Sequence, residues 1–308
     1  MTTPQSGIFA IGPPAQVFLE LRLTDGATVA DLLKHTATLA LENTTTTAIN
    51  LVVGVRPTLL IGIIGQSLEV VDFSKSIVGP SGFTIPATQS DVWFWITSNS
   101  LDRSFEASRR IIRSLIGYAQ VTFCESGWIY HGNQDLTGFI DGTENPPLSE
   151  APEIALFPAQ SILAGSSLVL VQRWRHNLEA FENLSPSEQE LVFGRTKAES
   201  IEFDDDQMPP NSHVARTSIP NGDSTLQIFR RSIPWGTPVD HGLVFVAFTN
   251  DQSRIIQMLE NMAGVSDGIR DALTHYSTPE TGSYFLTPSI ELLRSMIEID
   301  LITANEIT

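Results

Sequence analysis

One cysteine, Cys124, in 308 residues leaves no internal disulfide and no multi-cysteine zinc or iron–sulfur site. As a lone thiol beside a strand-like run it reads as a buried small hydrophobe. Basic residues are also scarce: 18 Lys and Arg stand against 35 Asp and Glu. The resulting net charge of −17 would repel nucleic acids and anionic membranes over most of the surface. A local basic pocket for an anionic ligand stays open. The most apolar stretch, residues 51–65, is interrupted by Arg56 and Pro57 and is no membrane span. The first residues lack a basic region followed by an apolar core, so no signal peptide is expected and the cytoplasm is the expected compartment. No phosphate-cradling Gly-Lys loop, dinucleotide glycine fingerprint, His-Glu-x-x-His helix or Gly-x-Ser-x-Gly elbow occurs in the sequence. The run Asp204-Asp205-Asp206 lacks the spaced ligands of a calcium loop and reads as solvated.

What is present is a well-cored composition, 42% hydrophobic and 17% charged, long enough for one large domain or two ordinary ones. Residues 17–23 alternate apolar and polar side chains, which predicts a half-buried strand. Residues 29–41 carry a helical apolar stripe. Strands are predicted over 48–55 and 91–97, then a helix over 101–116 with Asn99 or Ser100 as its cap. In the second half, strands are predicted over 167–173, 226–230 and 242–248, with a helix over 252–262. Ser185 and Glu188 have capping-box spacing, with Pro186 at the first helical position. Segments 91–113 and 242–261 share an order of hydrophobic strand, Asn, amphipathic helix. That order predicts an α+β fold of two β-α-β-β-α-β halves with antiparallel sheets, divided in the Pro-rich stretch 145–158.

The most informative segment is Gly138-Phe139-Ile140-Asp141-Gly142 within residues 135–146. Glycines on both sides let the backbone take unusual torsions and approach another surface closely. An aspartate held there is better placed to meet a ligand than to solvate a surface, although Asp-Gly is first a turn signal. The six histidines, His35, His131, His176, His213, His241 and His275, are not separated by spacing alone, and each reads by default as a surface or structural residue. His213 opens a strand-like run after Met-Pro-Pro-Asn. Arg230 and Arg231 stand where a strand meets a Pro/Gly loop, the place of a solvated edge.

Taken together, residues 135–146, 165–176, 194–197, 212–217, 230–236 and 281–288 resemble the dye-decolorising peroxidases, specifically their compact bacterial branch. The resemblance implies two ferredoxin-like domains, residues 1–150 and 151–308, with haem b in the C-terminal half. It makes His213 the axial ligand of the haem iron, Asp141 the distal acid–base group and Arg230 the distal cation. Asp271 corresponds to the position that hydrogen-bonds the proximal imidazole, and Arg195 to one that pairs with a haem propionate. Ser232 stands where some relatives carry a distal asparagine. The implied reaction consumes hydrogen peroxide and oxidises dyes, phenolics or other organic reductants; the alternative is a haem-handling protein with incidental peroxidase activity. Relatives imply a homodimer or higher homo-oligomer. The tail 299–308 does not read as a cargo peptide for a protein shell.

These residue types suit that chemistry. A carboxylate on the far nitrogen of an imidazole adds electron density to an iron ligand. An ionised aspartate can take a proton from peroxide and return it, while an arginine stabilises the charge that builds between. An aspartate base, with an ordinary pKa of about 3.9, stays ionised at about pH 4–5, so activity is expected on the acid side. Trp128 and Tyr130 are candidates for oxidising bulky substrates at the surface, against the plainer reading of core aromatics.

Overall fold

The computed structural model describes residues 2–42, 48–80, 82–222 and 224–298. Ten strands build one antiparallel sheet: β1 (Ala15–Leu23), β2 (Ile49–Val55), β3 (Val92–Ser98), β4 (Ala119–Trp128), β5 (Ser167–His176), β6 (Phe229–Arg230), β7 (Ile233–Gly236), β8 (His241–Thr249), β9 (Ser277–Pro279) and β10 (Ser283–Thr287). The longer helices are α1 (Val29–Glu42), α2 (Leu101–Ser114), α3 (Pro186–Phe193), α5 (Gln252–Ala263) and α6 (Ile290–Ile297), and a short one, α4 (His213–Thr217), precedes α5.

The strands fall into two groups of four, ordered β4-β1-β3-β2 and β7-β8-β5-β10. A single residue pair joins the groups on each side, Val55 with Leu286 and Gly127 with Trp235. The ring is thereby closed into a barrel, which leaves these eight strands no free edge. The segments β3-α2 and β8-α5 stand at equivalent places in the two groups, as their shared sequence order predicts.

Alternation along each strand sends one set of side chains inward and the other outward. The interior is filled by aromatic and branched residues, among them Phe18, Trp93, Trp95, Phe248 and Phe285. Trp93 lies 6.1 Å from both Trp95 and Phe285, ring centre to ring centre. The outward residues, such as Leu19, Phe94 and Leu170, pack under the helices in a second core. A filled interior leaves no room for a ligand there. A cavity lies outside, between the outer faces of β5 and β8 and the segments that cover them.

Five local expectations are corrected. β1 is buried on both faces from Ala15 to Leu21, because barrel and helix layer each claim one side. Residues 213–217 are a helix, since buried Ser212 caps the turn by accepting from Ala215 N. Only Phe229 and Arg230 of the predicted strand 226–230 belong to the sheet; residues 226–228 line the cavity instead. Cys124 is exposed on the outer face of β4. Arg231 is no solvated edge: its guanidinium donates to Ile8 O and Ala10 O, and burial lowers its pKa to about 10. The run at Asp204 is exposed, as expected, and the tail 299–308 lies outside the described residues.

Candidate active site

A cavity of about 320 Å³ opens beside β5 and β8. Its walls are largely apolar, with Leu170, Phe245, Ile255, Met258 and Leu259 contributed by β5, β8 and α5. Asp141, Arg230, His213 and Arg195 line this one space although they lie far apart in the chain.

Local chemistry sets the aspartate loop. Asp135 Oδ1 accepts from Thr137 N and Oγ1, an Asx turn, and Asp135 N donates to Phe139 O. Gly138 and Gly142 both have positive φ, 86° and 79°. At Gly138 an added Cβ would also stand 2.8 Å from Lys197 Cε. Asp141 N donates to Asn133 O and its carbonyl accepts from Asn133 Nδ2, which holds the carboxylate at the cavity. Phe139 stacks on Phe193 at 3.8 Å, and Phe193 meets the His213 ring edge-on at 6.2 Å. Asn145 fastens the loop to Arg230: its Oδ1 accepts from Arg230 N, and its Nδ2 donates to Arg230 O.

His213 opens α4 and donates from Nδ1 to Asp271 Oδ2 at 2.7 Å. Asp271 is fully buried, and its other oxygen accepts from Leu273 N. Nε2 of His213 has no hydrogen-bond partner among the described residues. Nor is any group of three or more His, Cys, Asp or Glu placed there to hold a bare ion. A metal at His213 would therefore have to bring its other ligands with it.

Enclosure pushes the Asp141 carboxyl above the ordinary aspartate value; Arg230 opposes this, Asp135 reinforces it, and the Gly142 N–H and His213 oppose it. Arg230 has no carboxylate within 4 Å among the described residues, so its charge is free to act in the cavity. Burial would also raise Asp135, yet His176 and Thr137 outweigh it and hold that carboxyl at about 2.

Arg195 is buried and already engaged. It donates to Thr143 Oγ1 and, at 2.5 Å, to Glu202 Oε1, with Glu144 at 3.7 Å. Ser232 is not among the lining residues; between β6 and β7, its hydroxyl accepts from Val246 N of β8. Trp128 is 38% exposed at the end of β4 and Tyr130 follows it; neither lines the cavity. Sequence reasoning assigned no role to Asn145, Gln172 or the pair Asp135 and His176. The signal for His176 was alternation, which puts residues 170, 172, 174 and 176 on one face of β5.

The model of the family described as Dyp-type peroxidase, C-terminal, matches residues 132–292. A dye-decolorizing peroxidase of Mycolicibacterium paratuberculosis is 39% identical over 68% of this chain and 61% of its own length. One from Mycobacterium tuberculosis is 37% identical over 70% of this chain and 66% of its own. The chain thus spans somewhat under two thirds of these relatives. Among solved structures, a putative dyp-type peroxidase protein from Shewanella oneidensis superposes with a TM-score of 0.86 at 27% identity, covering 95% of this chain and 98% of that one. A variant of DypB from Rhodococcus jostii RHA1 in complex with heme gives 0.84 at 30% identity, covering 95% and 98%. A family match across more than half the chain, with the aspartate loop and His213 both inside it, makes this protein a member of the DyP-type peroxidase family.

Proposed function

We propose that this protein is a haem-dependent peroxidase that uses hydrogen peroxide to oxidise dyes, phenolics or other small organic reductants. The observation that carries this reading is the free Nε2 of His213, anchored through Asp271, in one cavity with Asp141 and Arg230. The residues fit haem b. A single imidazole suits a metal that arrives with four ligands of its own, and the walls are apolar. Gln172 adds a fully buried Nε2 donor with no partner among the described residues. His213 would hold the iron and Arg195 is the cation available to a propionate, in exchange for Glu202.

Bound haem would supply the iron at which the O–O bond of peroxide is broken. Asp271 keeps the His213 imidazole oriented and electron-rich. Asp141, when ionised, takes a proton from hydrogen peroxide and gives it to the departing oxygen, which leaves as water. Arg230 stabilises the negative charge that builds as the bond parts.

The same reading makes residues 1–150 and 151–308 two ferredoxin-like domains. Its support is the β-α-β-β-α-β order and the matching strand arrangement of the two groups. The haem belongs to the second domain, which supplies His213, Asp271, Arg230 and the apolar walls. A cytoplasmic homodimer or higher homo-oligomer completes it; no helix among the described residues is long and apolar enough to cross a membrane.

The test is Arg230→Ala in protein reconstituted with haem. The Soret band should persist, while the spectral change after one equivalent of peroxide slows by roughly 10²-fold. An unchanged rate would sink the assignment. Intact wild-type haem binding with no rapid response to peroxide would favour a haem-handling role instead.

A further inference from the structure

Two titratable side chains in the cavity have no part in the chemistry above. His176, at the end of β5, is 6% exposed in its side chain. Its Nε2 lies 3.0 Å from Asp135 Oδ2 and its Nδ1 2.8 Å from Ser277 Oγ. Asp135 is likewise enclosed, and its second oxygen holds the Asx turn that begins the aspartate loop. Gln134 bridges to Ile140 across that loop, and Asp141 follows directly. This contact at the foot of the loop therefore ties it to the barrel.

We propose that Asp135 and His176 form a positioning pair for Asp141: their contact pins the aspartate loop to the end of β5, and their opposite charges bias proton uptake at Asp141. The bearing of this pair on the reaction rests on Asp141 being the group that moves the proton.

Breaking a buried pair from either side leaves different charges behind. His176→Gln leaves the Asp135 carboxylate unbalanced, so Asp141 should keep its proton to higher pH. Asp135→Asn removes the negative charge, so Asp141 should release its proton at lower pH. Asp135 already acts in that upward sense on Asp141 in the intact protein. The other charged groups around Asp141 are Arg230 from β6 and His213 from α4, with Arg195, Glu144 and Glu202 along the wall. Lys197 lies under Gly138. All six are unchanged in both variants, so the difference between the variants reports the pair.

The measurement is a carbon-13 NMR titration of the aspartate carboxyls in the full chain, with and without haem, the Asp141 signal being the one lost in Asp141→Asn. The midpoints should move in opposite directions by at least about half a pH unit each, roughly threefold in proton affinity. The double variant Asp135→Asn with His176→Gln can keep an amide-to-amide hydrogen bond without either charge, and should return the midpoint toward the wild type. Shifts in the same direction, no shift in either variant, or no return in the double variant would overturn the proposal. If a single variant does not fold, the double variant's midpoint and its loop protection from hydrogen exchange decide the matter alone: a displaced midpoint or lost protection overturns it. Should the haem-free protein titrate as stated while the peroxide step ignores these substitutions, the peroxidase role of Asp141 fails and the pair stands.

Discussion

Asp141 is pulled toward protonation by enclosure and by Asp135, and toward ionisation by Arg230, the Gly142 N–H and His213. The net direction is upward from 3.8, so the window in which it can act as a base begins at higher pH than for a free aspartate. The rate of the peroxide step should therefore fall as pH drops through a midpoint above 3.8, and Arg230→Ala should move that midpoint higher still. Stopped-flow rates across pH 3 to 8 check both, and a flat profile would remove Asp141 from the proton path. Glu20 is a second displaced carboxyl, inside the barrel and 2% exposed. Burial lifts it from 4.5 to about 7, against hydrogen bonds from Ser283 and Ser90, and its Oε1 has no partner among the described residues. Raised in the folded state, Glu20 favours folding below pH 4.5, and this contribution is lost as pH rises through 7. Glu20→Gln should thus stabilise the protein above neutrality, by up to on the order of 3 kcal/mol at pH 8, and do little at pH 4. Urea denaturation at the two pH values checks this.

Among the elements, the aspartate loop depends most on particular backbone torsions. Gly138 has φ 86°, and an added methyl would press on Lys197, whose Nζ is held 2.7 Å from Gln189 Oε1. Gly138→Ala should cost about 1–2 kcal/mol of stability and slow the peroxide step, because the strain lies three residues from Asp141. Thermal denaturation with parallel peroxide kinetics checks it; loss of stability alone would mean that the loop does not transmit the change. The glycines and the Asp-Gly turn were legible locally, since turn chemistry is written in adjacent residues. The same holds for α3, where Ser185 and Glu188 form both bonds of the predicted capping box. By contrast, α4 was misread as a strand. Its five residues are too few to show a period, and its cap and its packing against α5 decide the case.

At the scale of the molecule, the barrel closes through two narrow seams, and each has a glycine. An added Cβ at Gly127 would stand 2.5 Å from Ile233 Cγ2 and 2.8 Å from Pro234 O. One at Gly54, beside the other seam, would stand 2.7 Å from Phe285 Cβ. A methyl at either place must push the strand groups apart or displace a core ring. Gly127→Ala should accordingly lower stability by about 1–3 kcal/mol while leaving helix content unchanged, as measured by circular dichroism during denaturation. Stability equal to the wild type would show that the seam yields without loss.

The sequence by itself determined the strand and helix order of most of the chain, the turn around Asp141, and the shared pattern of 91–113 and 242–261. Each of these rests on interactions between residues close in the chain. Only the tertiary structure decided which side chains share the cavity. Arg230 meets the aspartate loop through Asn145, eighty-five positions away, and His213 finds Asp271 fifty-eight positions on. It also decided that both faces of β1 are buried, that Cys124 is exposed and that Arg231 turns inward. Burial depends on what packs across a closed barrel, and that is a property of no single segment.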